Sequence, residues 1–336
     1  MTTVALDVMG GDYAPTETVH GAVAAAREYG IKILLVGDET SIKKELRKHS
    51  THNLKLEIVH ASEVVDMGDK QPASAVRKKK DSSIVVATNL VANGQAGGVI
   101  SAGSTGATSA AALFYLKRIE GIERPCLATV MPSRENPFIL ADAGANVEAT
   151  KDQLLQNAFM AIALAKAVLK IKNPRVGLLN IGEEPGKGNT LVKEAYELFA
   201  QTKSINFIGN VEGRIVLHNV CDVIVCDGFV GNVFLKTAEG YAKMVATLLR
   251  EELTRDFRSK IGALLASDSF YRLRKRVDYS EYGGGQLLGV KGVCVVAHGS
   301  SKFIAIKNAI RITKDAIQSN LVNLTESMIK DNLKSL

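Results

Sequence analysis

A turn of small polar residues, "SAGSTGA" at 101–107, separates an apolar strand-like run from an Ala-rich helical run. It presents the backbone N–H groups of Gly103, Ser104, Thr105 and Gly106 at the start of a helix. Such a turn favours anion binding, because unpaired N–H groups and the helix dipole both attract negative charge. No Lys follows the turn, as one does in a nucleotide-binding P-loop, so a small oxyanion is the predicted ligand.

A second Gly-rich stretch, "NIGEEPGKGN" at 180–189, brings Lys187 close to the start of another helical run. It differs from a Walker A motif because its first Gly is one residue too close to the Gly–Lys pair. Gly188 also stands where a Ser or Thr would bind magnesium, so a nucleoside triphosphatase is disfavoured. Two interpretations of Lys187 stay open: a point charge for a small oxyanion, or a solvated loop lysine.

Polar clusters of this kind follow six of the apolar runs. In an open α/β sheet, ligands bind beyond the carboxyl ends of the strands, so we expect these clusters to meet at one rim. The last cluster, "AHGSS" at 297–301, supplies His298 and then Ser300 at the start of the next helix. His298 is either a general acid/base or a hydrogen-bonded His at a strand end.

Short apolar runs alternate with helical patterns along the whole chain. The runs are continuously apolar, which is typical of strands covered by helices on both faces. The pattern predicts an α/β fold with a three-layer, doubly wound, open mixed or parallel sheet. Without a linker in the sequence, we expect a single catalytic domain over 1–336, with two lobes around a cleft as a variant. The predicted strands span residues 3–9, 32–37, 54–61, 96–102, 175–182, 222–228 and 292–299.

The chain has 336 residues, with 42 Lys and Arg against 35 Asp and Glu, a net charge of +7. This balance favours a phosphate-bearing substrate, an acidic partner or an anionic membrane surface. Nucleic acid is disfavoured, because there is no Trp and no basic stretch interleaved with aromatic residues. No run approaches the ~20 apolar residues of a membrane span, and the first residues do not resemble a signal peptide. We therefore expect a cytoplasmic protein.

Several catalytic chemistries lack their sequence patterns. The four cysteines are scattered and three lie in apolar runs, so buried reduced thiols are expected. There is no GxSxG elbow, no GxGxxG after a strand and no metal-ligand spacing, so we expect neither a metal nor an organic cofactor. Neutral donors with one or two cations remain, which suits phosphate binding and stabilisation of an oxyanion.

Residues 240–277 form an amphipathic segment. Apolar side chains recur every three or four residues over 241–257, which predicts a helix, and a basic run follows later at 272–276. We expect a helical hairpin whose apolar tip contacts an anionic membrane surface. The alternative is packing of the hairpin against a second copy of the chain, and both can hold together. The tip residues are Ile261, Leu264 and Leu265.

Nine motifs cover essentially the whole chain in order: "ALDVMGGDYAP" (5–15), "RKKKDSS" (77–83), "ISAGSTGA" (100–107), "DAGAN" (142–146), "LLNIGEEPGKGN" (178–189), "GNVEGR" (209–214), "VCDGFVGNVFLKTAEG" (225–240), "YGGGQLLGVKG" (282–292) and "AHGSS" (297–301). With these motifs the sequence resembles the PlsX family of phosphate acyltransferases. Two positions depart from the family pattern. Ser104 stands where the family usually has Asn, which should preserve anion binding. Ile215 stands where it usually has Asp, so a carboxylate is missing there.

The resemblance implies that acyl-[acyl-carrier-protein] and inorganic phosphate are converted into acyl phosphate for phospholipid synthesis. It implies a fold like that of the isocitrate and isopropylmalate dehydrogenases and of phosphotransacetylase. It also implies a homodimer peripherally associated with the inner face of the cell membrane. There the enzyme would act upstream of the acylphosphate:glycerol-3-phosphate acyltransferase.

On this basis we expect direct transfer, in which phosphate attacks the thioester carbonyl. The turn at 103–106, Lys187 and Ser300 would hold the phosphate. Asn189 and Asn232 would stabilise the oxyanion, and His298 is the candidate acid/base. Two alternatives stay open: a nicotinamide-dependent decarboxylating dehydrogenase on the same fold, and a non-catalytic phosphate-binding scaffold at the membrane. The sequence leaves open the acyl chain length, the docking surface for the carrier protein and the catalytic base.

Overall fold

The computed structural model describes residues 2–277 and 283–333. Within these ranges one sheet contains eleven strands, and seven of them lie where continuous apolar runs predict them. The strands are β1 Thr3–Asp7, β2 Lys32–Gly37, β3 Leu56–His60, β4 Gly98–Ser101, β5 Cys126–Met131, β6 Phe138–Ala141, β7 Arg175–Asn180, β8 Asn206–Glu212, β9 Val223–Val225, β10 Gly285–Leu288 and β11 Val293–Val296.

Helices connect most of these strands. The helical patterns that alternate with the apolar runs are confirmed as helices. Two helices, α5 and α6, continue as single π-helical turns over Ala112–Leu116 and Ala165–Leu169. The helices are α1 Thr16–Tyr29, α2 Glu39–Leu46, α3 Pro72–Lys78, α4 Ser83–Ala92, α5 Thr105–Ala111, α6 Lys151–Leu164, α7 Thr190–Gln201, α8 Gly228–Thr254, α9 Phe257–Leu265, α10 Ser267–Val277, α11 Phe303–Gln318 and α12 Leu321–Leu333.

The sheet contains two sets of parallel strands that run in opposite directions. The strand order is β3-β2-β1-β4-β11-β10-β5-β6-β9-β7-β8. β10 is antiparallel to both β11 and β5, and β5 is antiparallel to β6. The two sets nevertheless run toward each other. Val296, at the end of β11, is level with Gly285 and Thr129, and Ala141, at the end of β6, pairs with the neighbouring Ala128. The carboxyl ends of β6 and β9 therefore lie level with those of β1, β4 and β11, although the strands are not all parallel.

Helices cover both faces of the first parallel set. Alternate residues of β1 and β2 divide between two apolar clusters. Leu6 and Leu35 pack with residues of α1 and α11, whereas Ala5 and Leu34 pack with residues of α4 and α5. All four side chains are buried. This layering is what continuously apolar strands predict, and it fixes the strand ends that carry the polar clusters.

The longest helix, α8, leaves the sheet. Its first turns pack over β6, whereas residues 240–252 are all exposed. The predicted two-helix hairpin over 240–277 consists of three helices, because Asp256 accepts a hydrogen bond from Ser259 N and starts a new helix there. α9 packs against α8 and has no buried residue. The side chains of residues 274–277, part of the predicted basic run, lie outside the described residues.

Candidate active site

A cavity of about 390 Å³ lies between α8 and the sheet. Residues of four polar clusters line it: Thr105 after β4, Gly144 after β6, Asn232 after β9 and His298 after β11. These clusters belong to strands of opposite direction, whose carboxyl ends lie level with one another in the sheet. The volume falls in the range of pockets that bind small organic ligands.

Lys236, which the sequence analysis missed, brings a cation into this cavity. Its Nζ lies 3.4 Å from His298 Nε2 and donates a hydrogen bond to Glu239 Oε2 at 2.8 Å. On the other side of the imidazole, Nδ1 lies 2.9 Å from Ser300 Oγ. A polar chain therefore connects α8 with the turn after β11. The spacing of Asn232, Lys236 and Glu239 (i, i+4, i+7) was an available signal, because it puts all three on one helix face.

The turn at 103–106 provides N–H groups beside the polar contacts of Lys236, His298 and Ser300. Ser104 caps α5, because its Oγ accepts a hydrogen bond from Ala107 N at 3.5 Å. The first amides of a helix have no acceptor within the helix, so the N–H groups of Thr105 and Gly106 are available to an anion. Thr105 is exposed and lines the cavity.

Asp7, at the end of β1, supports this turn from behind. Its Oδ2 accepts a hydrogen bond from Ser101 Oγ at 2.7 Å, and Ser101 Oγ accepts one from the Gly103 amide at 2.9 Å. Its Oδ1 accepts hydrogen bonds from the amides of Met9 and Gly10, each at 3.2 Å. Complete burial raises the pKa of Asp7, whereas these hydrogen bonds act in the opposite direction. The Gly103 amide thus donates its hydrogen bond within the turn, to Ser101, and helps to hold the turn in place.

The turns after β1, β4 and β11 pack directly on one another. A Cβ on Gly10 would lie 2.7 Å from Gly103 N, so the two backbones touch. Asp12 N donates a hydrogen bond to Gly299 O at 2.8 Å, and Gly299 directly follows His298. The imidazole of His298 and the turn at 103–106 are therefore parts of one packed unit.

Asn232 reaches the cavity from the start of α8. A Cβ on the preceding Gly231 would lie 1.8 Å from the carbonyl oxygen of Asp142, so this close approach requires Gly. Asp142 is buried, which raises its pKa, and its Oδ1 accepts hydrogen bonds from the amides of Gly144 and Ala145 at 2.9 and 2.8 Å. The loop after β6 thereby fixes where α8 begins and where Asn232 stands.

Lys187 and Asn189 lie elsewhere, on the loop between β7 and α7. Both are exposed, and neither lines the cavity. Asn189 caps α7, because its Oδ1 accepts a hydrogen bond from Val192 N at 2.9 Å. The Lys187 carbonyl accepts a hydrogen bond from Asn180 Nδ2 at 3.1 Å. Lys187 and Asn189 therefore do not meet Thr105, Asn232 and His298 at the cavity.

The four cysteines are buried and free, as predicted. Burial raises the pKa of Cys221 and Cys294 to about 12 and that of Cys126 and Cys226 well above the usual value. These thiols stay protonated near pH 7 and are poor nucleophiles. Across residues 2–277 and 283–333, no group of three or more His, Cys, Asp or Glu side chains is placed to hold a metal ion. No helix in those ranges is long and apolar enough to cross a membrane.

Several solved structures share this fold at low sequence identity. A phosphotransacetylase from Streptococcus pyogenes has a TM-score of 0.61 at 18% identity, over 94% of both chains. A branched-chain phosphotransacylase from Enterococcus faecalis has a TM-score of 0.58 at 18% identity, over 94% of this chain and 99% of that one. The chain therefore has a mixed α/β fold that phosphotransacylases also adopt. The finer likeness to isocitrate and isopropylmalate dehydrogenases stays a prediction.

The family follows from the sequence. The family model described as "Fatty acid synthesis protein" matches residues 2–324. A phosphate acyltransferase from Nitratidesulfovibrio vulgaris is 49% identical over 94% of this chain and 92% of its own length. Another, from Heliobacterium modesticaldum, is 51% identical over 95% of both chains. The chain belongs to this family, the PlsX family of phosphate acyltransferases, which confirms the resemblance seen in its motifs.

Proposed function

We propose that this chain transfers an acyl group from acyl-[acyl-carrier-protein] to inorganic phosphate in phospholipid synthesis. The observation that carries the proposal is the meeting of Lys236, His298 and Thr105 in the lining of one cavity whose remaining wall is largely apolar. An ammonium group, an imidazole and helix N–H groups suit a phosphate dianion. The apolar side suits an acyl group, and membership of the family supports the same reaction.

In the proposed step, an oxygen of hydrogen phosphate attacks the carbonyl carbon of the thioester. The C–O bond forms, the C–S bond breaks, and the thiol receives the proton that the phosphate gives up. Lys236 and the amides at Thr105 hold the phosphate, and Asn232 donates a hydrogen bond to the oxyanion. His298, oriented by Ser300, carries the proton toward the departing sulfur. A thiolate leaves readily, so a weak general acid suffices.

A single-turnover reaction of the purified protein with palmitoyl carrier protein and phosphate tests this function. We expect release of the carrier thiol that depends on phosphate, with an equal amount of acyl phosphate trapped by hydroxylamine as the hydroxamate. Phosphate binding without product would instead indicate a non-catalytic scaffold. Reduction of a nicotinamide cofactor by a hydroxy acid would indicate the dehydrogenase alternative.

We further propose that the exposed helices serve assembly and membrane contact. Leu264 and Leu265 on α9 are 74% and 82% exposed, and the basic residues Arg258 and Lys260 lie close in sequence. An exposed apolar patch with nearby cations suits an anionic lipid surface. In this proposal, α9 contacts the inner face of the cell membrane and α8 forms a homodimer. The acyl phosphate then passes to the acylphosphate:glycerol-3-phosphate acyltransferase. After Gly240, the exposed large apolar residues of α8 are Tyr241, Met244, Val245, Leu248 and Leu249.

A further inference from the structure

Helix α8 presents two adjacent stripes to the cavity. At about 100° per residue, each stripe covers an arc of about 60°, and their centres are about 100° apart. Every residue of both stripes lines the cavity. The polar stripe consists of Asn232, Lys236 and Glu239, and the apolar stripe of Leu235, Ala238 and Ala242.

The two stripes face different walls. Lys236, on the polar stripe, contacts His298 at the end of β11. Leu235 and Ala238, on the apolar stripe, pack against the apolar cluster that contains Met131 of β5. A thioester carbonyl that meets phosphate at Lys236 therefore has its acyl chain beside the apolar stripe.

We propose that Ala238 and Ala242 set the length of the acyl chain that the enzyme accepts. The proposal rests on the proposed function, because it needs an acyl donor whose carbonyl reacts near Lys236. Two methyl side chains, one turn apart, keep the space between α8 and β5 open along about 6 Å of helix. Ala238 is the nearer of the two to the polar stripe's Lys236, so it meets the chain closer to its carbonyl.

The apolar stripe also continues past the cavity. Val245 and Leu249 follow Ala242 at the spacing of one helix face, and they are 43% and 38% exposed. These two residues belong to the part of α8 that is proposed above to pair with a second copy, so the space for an acyl chain ends near Ala242. A larger side chain at Ala242 should therefore block the longest chains.

The test compares carrier protein loaded with butyryl, octanoyl or palmitoyl groups as donors for Ala242→Leu and Ala238→Leu. Each buried methylene contributes about fourfold to kcat/KM, so losing two or more costs about tenfold or more. For Ala242→Leu we expect this loss with palmitoyl only. For Ala238→Leu we expect it with octanoyl as well, while the butyryl rate of both variants stays close to that of the wild type.

Ala200→Leu is the matched control, because Ala200 is an exposed residue of α7 that does not line the cavity. It should keep the wild-type donor profile. An unchanged profile in both α8 variants would overturn the proposal. So would an equal loss with all donors accompanied by a change of oligomeric state, since that would place the stripe between two copies of the chain. A wild-type protein that forms no acyl phosphate from any donor would instead refute the proposed function.

Discussion

Replacement of Lys236 by Met should weaken phosphate use with little effect on folding. The change keeps the length of the side chain and removes its charge. A hydrogen bond to a charged group contributes about 1.5–3 kcal/mol. The Lys236 side chain is 51% exposed, so water screens it and the lower part of that range applies. At 1.4 kcal/mol per factor of ten, we expect kcat/KM for phosphate to fall by about 10- to 30-fold.

The assay is acyl phosphate formation at increasing phosphate concentration, with the melting temperature as the measure of folding. The folded protein loses the contact with Glu239, a helix pair that contributes a few tenths of a kcal/mol, and the longer contact with His298. Lys187→Met is the matched variant, because Lys187 is exposed and lies outside the cavity. If Lys187→Met loses phosphate affinity and Lys236→Met does not, the assignment of Lys236 is refuted and Lys187 takes its place.

Three other perturbations test the remaining parts. Burial raises the pKa of Asp7 in the folded protein above 3.8, its ordinary value in the unfolded chain. As the pH falls through the pKa of the folded state toward 3.8, protonation of Asp7 therefore stabilises the folded wild type. The difference in unfolding free energy between wild type and Asp7→Asn should therefore shift in favour of the wild type as pH falls, and a constant difference would contradict this. The double change Leu264→Glu and Leu265→Glu should abolish binding to anionic vesicles while dimer and soluble activity persist; an inactive monomer would place these residues between subunits. Iodoacetamide should leave the native enzyme active, because its thiols are buried and protonated; rapid inactivation would reveal a reactive cysteine.

Seven strands were predicted from apolar runs, and β5, β6, β8 and β10 were missed. β6 and β10 have only four residues each, and the β8 segment contains Gly209 with a positive φ. Length alone does not explain the misses, because the predicted β9 has three residues and the predicted β11 has four. In β8 and β10, glycine and polar residues interrupt the apolar pattern, which weakens the local signal. The reversal of direction was beyond the sequence for another reason. It depends on the pairing of β10 with β5 and β11, and nothing local to β10 specifies which strands lie beside it.

Three residues that line the cavity were candidates from the sequence, and Lys236 was missed. Thr105, Asn232 and His298 belong to clusters of Gly and polar residues that follow strands, although Asn232 itself lies in the second turn of α8. Lys236 stands inside a helix, where a lysine is usually solvated, and its neighbour His298 is 62 residues away in the chain. Asp7 was missed because its role depends on Ser101, which belongs to another strand. Such partners become visible only when the strands are placed side by side.

Neither of the two departures from the family pattern lies among the residues that line the cavity. Ser104 stands where the family usually has Asn, and its Oγ caps α5 through Ala107 N. Asn and Ser are nearly equivalent at this position of a helix. Ile215 packs, half-buried, against the apolar cluster that contains Phe138, and it does not line the cavity. An apolar side chain there removes a carboxylate from a packing position, so the cavity keeps its charges. The amides at Thr105 and the cation on α8 are therefore unaffected by either change.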